Sequence, residues 1–165
     1  MILICFDGSA DSRAAVEHAA QLFGDAPVRV LTVWEPFVEL IARTPLGFGP
    51  VPSGADPVGI DEASRKAANE VAVEGAALAT RLGMRAVAGS ASRAPTTARA
   101  ILLQAGELDA TAIVMGSRGL TGVKSLLLGS VSREVIRHAD RAVVVVPSPE
   151  VAASRVRALR EAAAA

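Results

Sequence analysis

The chain has 165 residues and a mass of 16.9 kDa, the length of one domain with enough material for a sizeable core. Hydrophobic residues make up 51%, yet no apolar run approaches the roughly 18 residues that cross a bilayer, and the start MILICFDGS carries no basic leader or cleavage pattern, so the expectation is a cytoplasmic protein without membrane association. Seventeen basic residues balance seventeen acidic ones and aromatic residues are 3%, which argues against a broad nucleic-acid surface or a base-stacking platform.

In chain order, MILICF is a short apolar run that ends at Asp7-Gly8-Ser9 and reads as the first strand. Cys5 lies in that run. As the sole cysteine it excludes an intramolecular disulfide, and its apolar neighbours assign it to the core rather than to reactive chemistry. Over residues 11–23, Ala14, Ala15, Val16, Ala19, Ala20 and Phe23 follow helical spacing, with Asp11 as the expected cap. After Pro27, VRVLTVW is apolar on both parities, as in a strand covered on both faces. Residues 44–59 hold four prolines and four glycines and read as a mobile loop. An Ala-rich helix is expected over 61–82, stopped by Gly83, and a short strand over 84–89.

Pro95 opens the next expected helix, with Ala98, Ile101, Leu102 and Ala105 on one face. A buried strand over 112–115 leads into the glycine-rich run MGSRGLTGVKSLLLGSVS, and VSREVIRHA after it is helical. Ala142–Val146 is the fifth strand. Beyond Pro147 the Ala- and Arg-rich residues 148–165 form a tail expected to be a frayed helix or disordered, which sets the domain at residues 1–147. Strands alternating with helices imply right-handed parallel crossovers and an α/β fold, a single doubly wound five-stranded parallel sheet with about four helices. With strand order 3-2-1-4-5, the ends of strands one and four lie side by side at a topological switch point, and strand two brings Thr32 and Val33 nearby.

The glycine-rich run carries the chemistry. Two residues separate Gly116 from Gly119, nine separate Gly119 from Gly129, and Ser130 follows. Glycines in a strand-to-helix connection let bare backbone approach a ligand, and the helix opening at Ser130 presents N–H groups and the positive end of its dipole, an arrangement that suits phosphate. A P-loop does not fit, because Val123 separates Gly122 from Lys124 and Ser125; a dinucleotide fingerprint does not fit either, because position 118 is Arg and a long loop precedes the helix. Lys124 has two open readings, a phosphate contact or a solvent-facing side chain.

Taken together, ILICFDGS, MGSRGLTGVKSLLLGSVS and AVVVVP resemble the universal stress protein family, and the resemblance covers residues 1–147. It implies a Rossmann-like fold of the adenine nucleotide alpha hydrolase type, ATP as ligand with Mg²⁺, and a homodimer through the last strand. Carried over by residue, it places Asp7 near ribose, phosphates or metal, Val33 against adenine, Met115 and Gly116 beside the adenosine, and Gly119 under the phosphates, with Gly129, Ser130, Val131 and Ser132 on the phosphate tail. Asp7 also has a plainer reading as a turn residue. No metal site built from protein atoms alone is expected, and no side chain is assigned as catalytic. His18 and His138 have no metal-spaced partners and read as structural or solvated. Trp34 and Phe37 either border the adenine or pack under the long loop, and Arg93, in the polar segment 89–97, either reaches the crevice or faces water.

Three functions are consistent with these residues. The first is an ATP-binding regulatory stress-response protein, in which nucleotide controls conformation or dimer assembly and an unknown regulatory partner protein reads the result. The second is a slow ATPase or self-phosphorylating enzyme that uses Ser130 or Ser132, for which no base is evident. The third is a nucleotide-free interaction module. Ala142–Val146 is also an uncharged, strongly β-forming strand without an internal proline, and an open edge of that kind invites pairing with a second copy.

Overall fold

The computed structural model describes residues 1–42, 56–120 and 128–163. Its strands are β1 (Ile2–Cys5), β2 (Pro27–Trp34), β3 (Arg85–Ser92), β4 (Ala112–Gly116) and β5 (Ala142–Val146). All pairings are parallel, in the expected order β3-β2-β1-β4-β5. Among the described residues there are six helices rather than about four: α1 (Ala10–Phe23), α2 (Phe37–Ala42), α3 (Pro57–Arg81), α4 (Thr97–Glu107), α5 (Ser130–His138) and α6 (Pro149–Ala163). No helix among these residues is long and apolar enough to cross a membrane.

The differences from expectation have local causes. At six residues, α2 is too short to show a period. Helix α6 forms in the tail because Ala and Arg are strong helix formers and Pro149 stands at its first position, where a missing N–H costs nothing. The same tolerance lets α3 start at Pro57, so residues 57–59 are helix and not loop; the remainder of the 44–59 stretch falls outside the described residues, except Asp56. The cap of α1 is Ser9, whose hydroxyl accepts from the Ser12 N–H at 3.2 Å, while Asp11 lies inside the first turn. Thr96 caps α4 in the same way, one residue after Pro95.

Alternation along β1 divides the core in two. Ile2, Ile4 and Phe6 face α1 and α3, in a layer with Ala15, Val16, Ala19, Val30, Ala76, Ala79 and Val114. Leu3 faces α4 and α5, with Leu31, Ala98, Ile101, Ile113, Met115 and Val135. Small residues at Ala68, Ala72, Gly75, Ala76 and Ala79 give α3 a stripe that lies close on the sheet. Towards the β3 edge, the Arg29 guanidinium donates to the Ala88 carbonyl at 2.9 Å, and Gly89 lies against the same side chain.

A Cβ at Gly75 would stand 2.7 Å from the Phe6 ring and 2.9 Å from Val30, both buried. Helix propensity alone favours Gly→Ala by about 1 kcal/mol, whereas overpacking a core costs about 1–3 kcal/mol. Gly75→Ala is therefore expected to lower the urea midpoint without changing the slope; a raised midpoint would show that Phe6 yields freely.

Candidate functional site

Strands β1 and β4 are neighbours, with Ile2 beside Ala112 and Ile4 beside Val114, yet the helix after β1 covers one face of the sheet and the helix after β4 covers the other. The connections splay apart beyond their carboxyl ends, and a cavity of about 530 Å³ lies there. Asp7, Val33, Met115, Gly116, Gly119, Gly129, Ser130, Val131 and Ser132 all line it. One part of the wall is apolar, from Leu31, Val33, Ile101 and Met115, and another is polar, where Asp7, Arg118, Ser130 and Arg133 contribute.

Asp7 follows β1 in a turn that needs glycine next, since Gly8 has φ +81°. One carboxylate oxygen accepts from the Ser9 N–H at 3.0 Å and the other from the Leu120 N–H at 3.3 Å. The turn reading of Asp7 thus describes real contacts, and each oxygen keeps lone-pair capacity on a group that also lines the cavity. At two of the motif glycines the space that a side chain would need is bounded by protein atoms. A Cβ at Gly116 would lie 2.8 Å from the Asp11 backbone, and one at Gly119 would lie 2.7 Å from the Asp7 carboxylate, so protein atoms already occupy those directions.

Beyond Gly116 the chain is held by a buried carboxylate. Asp11 accepts from the Ser117 hydroxyl at 2.7 Å and from the Arg118 N–H at 3.0 Å. Burial works to raise its pKa, but hydrogen bonds from Ser117 and Ser148 and the positive charge of Arg118 outweigh it and hold the carboxyl below its ordinary value. Ser117 in turn accepts at its carbonyl from the Gly129 N–H at 2.8 Å, which seats the start of α5 against the end of β4. Gly129 is the N-cap of α5 and no side chain caps that end, so the first turn presents backbone donors and the positive end of the helix dipole to the cavity. Ser130 is exposed there. Ser132 is buried, and its one hydroxyl proton is shared between the Ser117 and Gly129 carbonyls, each at 3.1 Å.

Thr97, Ile101, Arg118, Leu128 and Arg133 also line the cavity and were not expected there. Arg118 lies between two motif glycines and was within reach of sequence reasoning; Ile101 carried a core signal, and Thr97 no signal beyond its helix start. Trp34 and Phe37 are not among the lining residues. Arg93 neither reaches the crevice nor faces water: it pairs with Glu35 at 2.7 Å and Glu39 at 3.0 Å, joining the end of β2 to α2. His18 and His138 each bond a carbonyl of their own helix. Lys124 lies outside the described residues. No group of three or more His, Cys, Asp or Glu side chains suited to a metal occurs among the described residues.

Cys5 is half-buried and lines the cavity, rather than lying fully in the core. Burial, with a smaller push from Asp7, raises its thiol pKa to about 12. At pH 8 the thiolate is then on the order of one part in ten thousand. Iodoacetamide at that pH should label the native protein on the order of a thousandfold more slowly than the urea-unfolded chain, as mass spectrometry would show; comparable rates would contradict this environment.

The family model for the universal stress protein family matches residues 1–147. Among solved structures, a universal stress protein family member from Burkholderia pseudomallei is 26% identical with a TM-score of 0.63, the match covering 88% of this chain and 94% of that one. The hypothetical protein MJ0577 is 21% identical with a TM-score of 0.69, over 88% of this chain and 94% of that one. The universal stress protein from Archaeoglobus fulgidus in complex with dAMP is 23% identical with a TM-score of 0.56, over 88% and 95%. No curated protein matches the chain. The glycine spacing, the sheet order and the match across residues 1–147 agree, and the chain belongs to the universal stress protein family.

Proposed function

We infer that this chain is an ATP-binding regulatory protein of the stress response, in which nucleotide controls conformation or dimer assembly in the cytoplasm. The observation that carries the reading is the cavity itself: an apolar wall of Leu31, Val33, Ile101 and Met115 suits a purine, and the uncapped start of α5, with Arg118 and Arg133 at the wall, suits phosphates. Solved relatives of the same fold hold dAMP, cAMP and AMP, which supports an adenine nucleotide as the ligand class. Among the described residues Asp7 is the sole carboxylate lining the cavity, so Mg²⁺ fits as an ion that arrives with the phosphates and leans on Asp7, rather than one held by a protein cage. A regulatory partner protein would read the nucleotide-bound state.

Ser130→Asp separates ligand binding from stability. An acidic residue in the first turn of a helix favours the fold, while its charge opposes a phosphate at the same place. Titration calorimetry should show at least tenfold weaker ATP·Mg binding with an unchanged or raised melting temperature. Asp7→Asn should weaken binding about tenfold if one charge-assisted hydrogen bond of about 1.5–3 kcal/mol is lost. Wild-type affinity in both variants would remove this cavity as the nucleotide site.

Among the described residues β5 pairs with β4 alone, and Val143, Val144 and Val145 stay half-buried. A second copy pairing along Ala142–Val146 would cover that edge and form a homodimer. Val144→Lys should shift a light-scattering concentration series towards monomer, and a wild type that stays monomeric at high concentration, with and without ATP, would refute this interface.

A further inference from the structure

The C-terminal helix α6 is joined to the polar end of the cavity through one carboxylate. Of its residues only Val151 is buried, so apolar packing alone does little to hold the helix. Polar contacts do more. Ser148, itself buried, helps by hydrogen bonding to hold the Asp11 carboxyl below its ordinary value, and its carbonyl accepts from the Ala152 N–H at 2.9 Å in the first turn of α6. One turn further, the Arg155 guanidinium donates to the Ser117 hydroxyl oxygen at 3.4 Å, the same hydroxyl that donates to Asp11.

Asp11 is 6% exposed and does not line the cavity. Its carboxylate accepts from Ser117 and Arg118 at the start of the connection after β4, the Ser117 hydroxyl oxygen accepts from Arg155 of α6, and Ser148 at the start of α6 helps to hold the carboxyl below its ordinary value. Ser117, fully buried, then passes the constraint on, since its N–H donates to the Val146 carbonyl at 2.8 Å and its carbonyl holds the N-cap Gly129. Displacing α6 therefore leaves a buried carboxylate short of donors, and such a carboxylate draws on Ser117 and Arg118, the residues that seat the start of α5.

We propose that Asp11 is a positioning residue that couples α6 to the phosphate-facing turn of the cavity, so that nucleotide occupancy and docking of α6 stabilise one another. The ligand half of this statement rests on the nucleotide reading above, and the Asp11 half on the contacts alone. A coupling of this kind is reciprocal: whatever the nucleotide does for the helix, the helix does for nucleotide affinity. It also places the cavity under the control of a segment that lies after the family-matched residues.

The test uses the full chain and amide exchange read by mass spectrometry and NMR, with ATP·Mg affinity measured alongside. ATP should slow exchange over residues 151–158 at least threefold in the wild type. Asp11→Asn sets an amide N–H₂ against donor groups; it should weaken ATP binding about tenfold and, without ATP, speed exchange at Arg118, Gly129 and Ala152 together. Arg155→Ala, on the helix surface and safe for folding, should weaken ATP about threefold and speed exchange at Arg118 and Gly129. A purely structural role would lower the melting temperature and leave affinity unchanged. Affinity at wild-type values in both variants, or α6 exchange indifferent to ATP, overturns the coupling. If the wild type binds no adenine nucleotide, the function reading fails by itself, and the coupling is decided by ATP-free exchange: Arg155→Ala that leaves the Arg118 and Gly129 amides unchanged refutes it.

Discussion

Between the end of β4 and the first turn of α1 there is no room for a methyl group, and much of the remaining arrangement depends on that closeness. Gly116 lets the Asp11 backbone come within 2.8 Å of where a Cβ would stand. A carboxylate drawn that deep must find donors or destabilise the fold, and the chain supplies them from the two nearest segments. The connection after β4 is consequently set by α1 packing and needs no ligand to hold its first turn. Its far end is set as well, because the Ser117 carbonyl bonds the Gly129 N–H. Pre-ordering of this kind lowers the entropy lost when a ligand arrives.

The wall chemistry sorts itself by distance from the sheet. Nearest the strands, Leu31 and Met115 belong to the core layer shared with α4 and α5, so the apolar wall is an extension of the core. Asp7, Arg118, Ser130 and Arg133 contribute the polar wall. An anion alone beside Asp7 would be repelled, but the Asp7 oxygens already accept two backbone N–H groups, which spread its charge. Ribose hydroxyls or a hydrated cation complete such an environment better than bare phosphate does.

Strands and their order were legible because short apolar runs bounded by turn residues alternate with helical periods, and a parallel sheet permits few topologies. The nine residues expected at the site all line the cavity for the same reason: strand ends that meet at the switch point bring their loops with them. What escaped the sequence depends on contacts between distant segments. Asp11 looks like a cap because Asp often is one, and only the approach of Ser117 shows its other use. Gly116 and Gly119 look like room for a ligand, yet glycine reports only that space is needed and not which atoms take it. Arg93 pairs with Glu35 and Glu39 through a helix of six residues that no periodicity announces. Helix α6 hid in a composition that serves equally for disorder.

The two margins of the sheet are built differently. At β3 the Arg29 guanidinium occupies the Ala88 carbonyl, Gly89 lies over that side chain, and Ser90 and Ser92 make the strand polar. At β5 the margin is an uninterrupted valine run. Growth of the sheet by strand addition is thus open in one direction and obstructed in the other. A polymer needs two active ends: two copies that met at β5, as proposed, would leave only the polar β3 margins outside, and association would terminate after a single step instead of running on into a fibre.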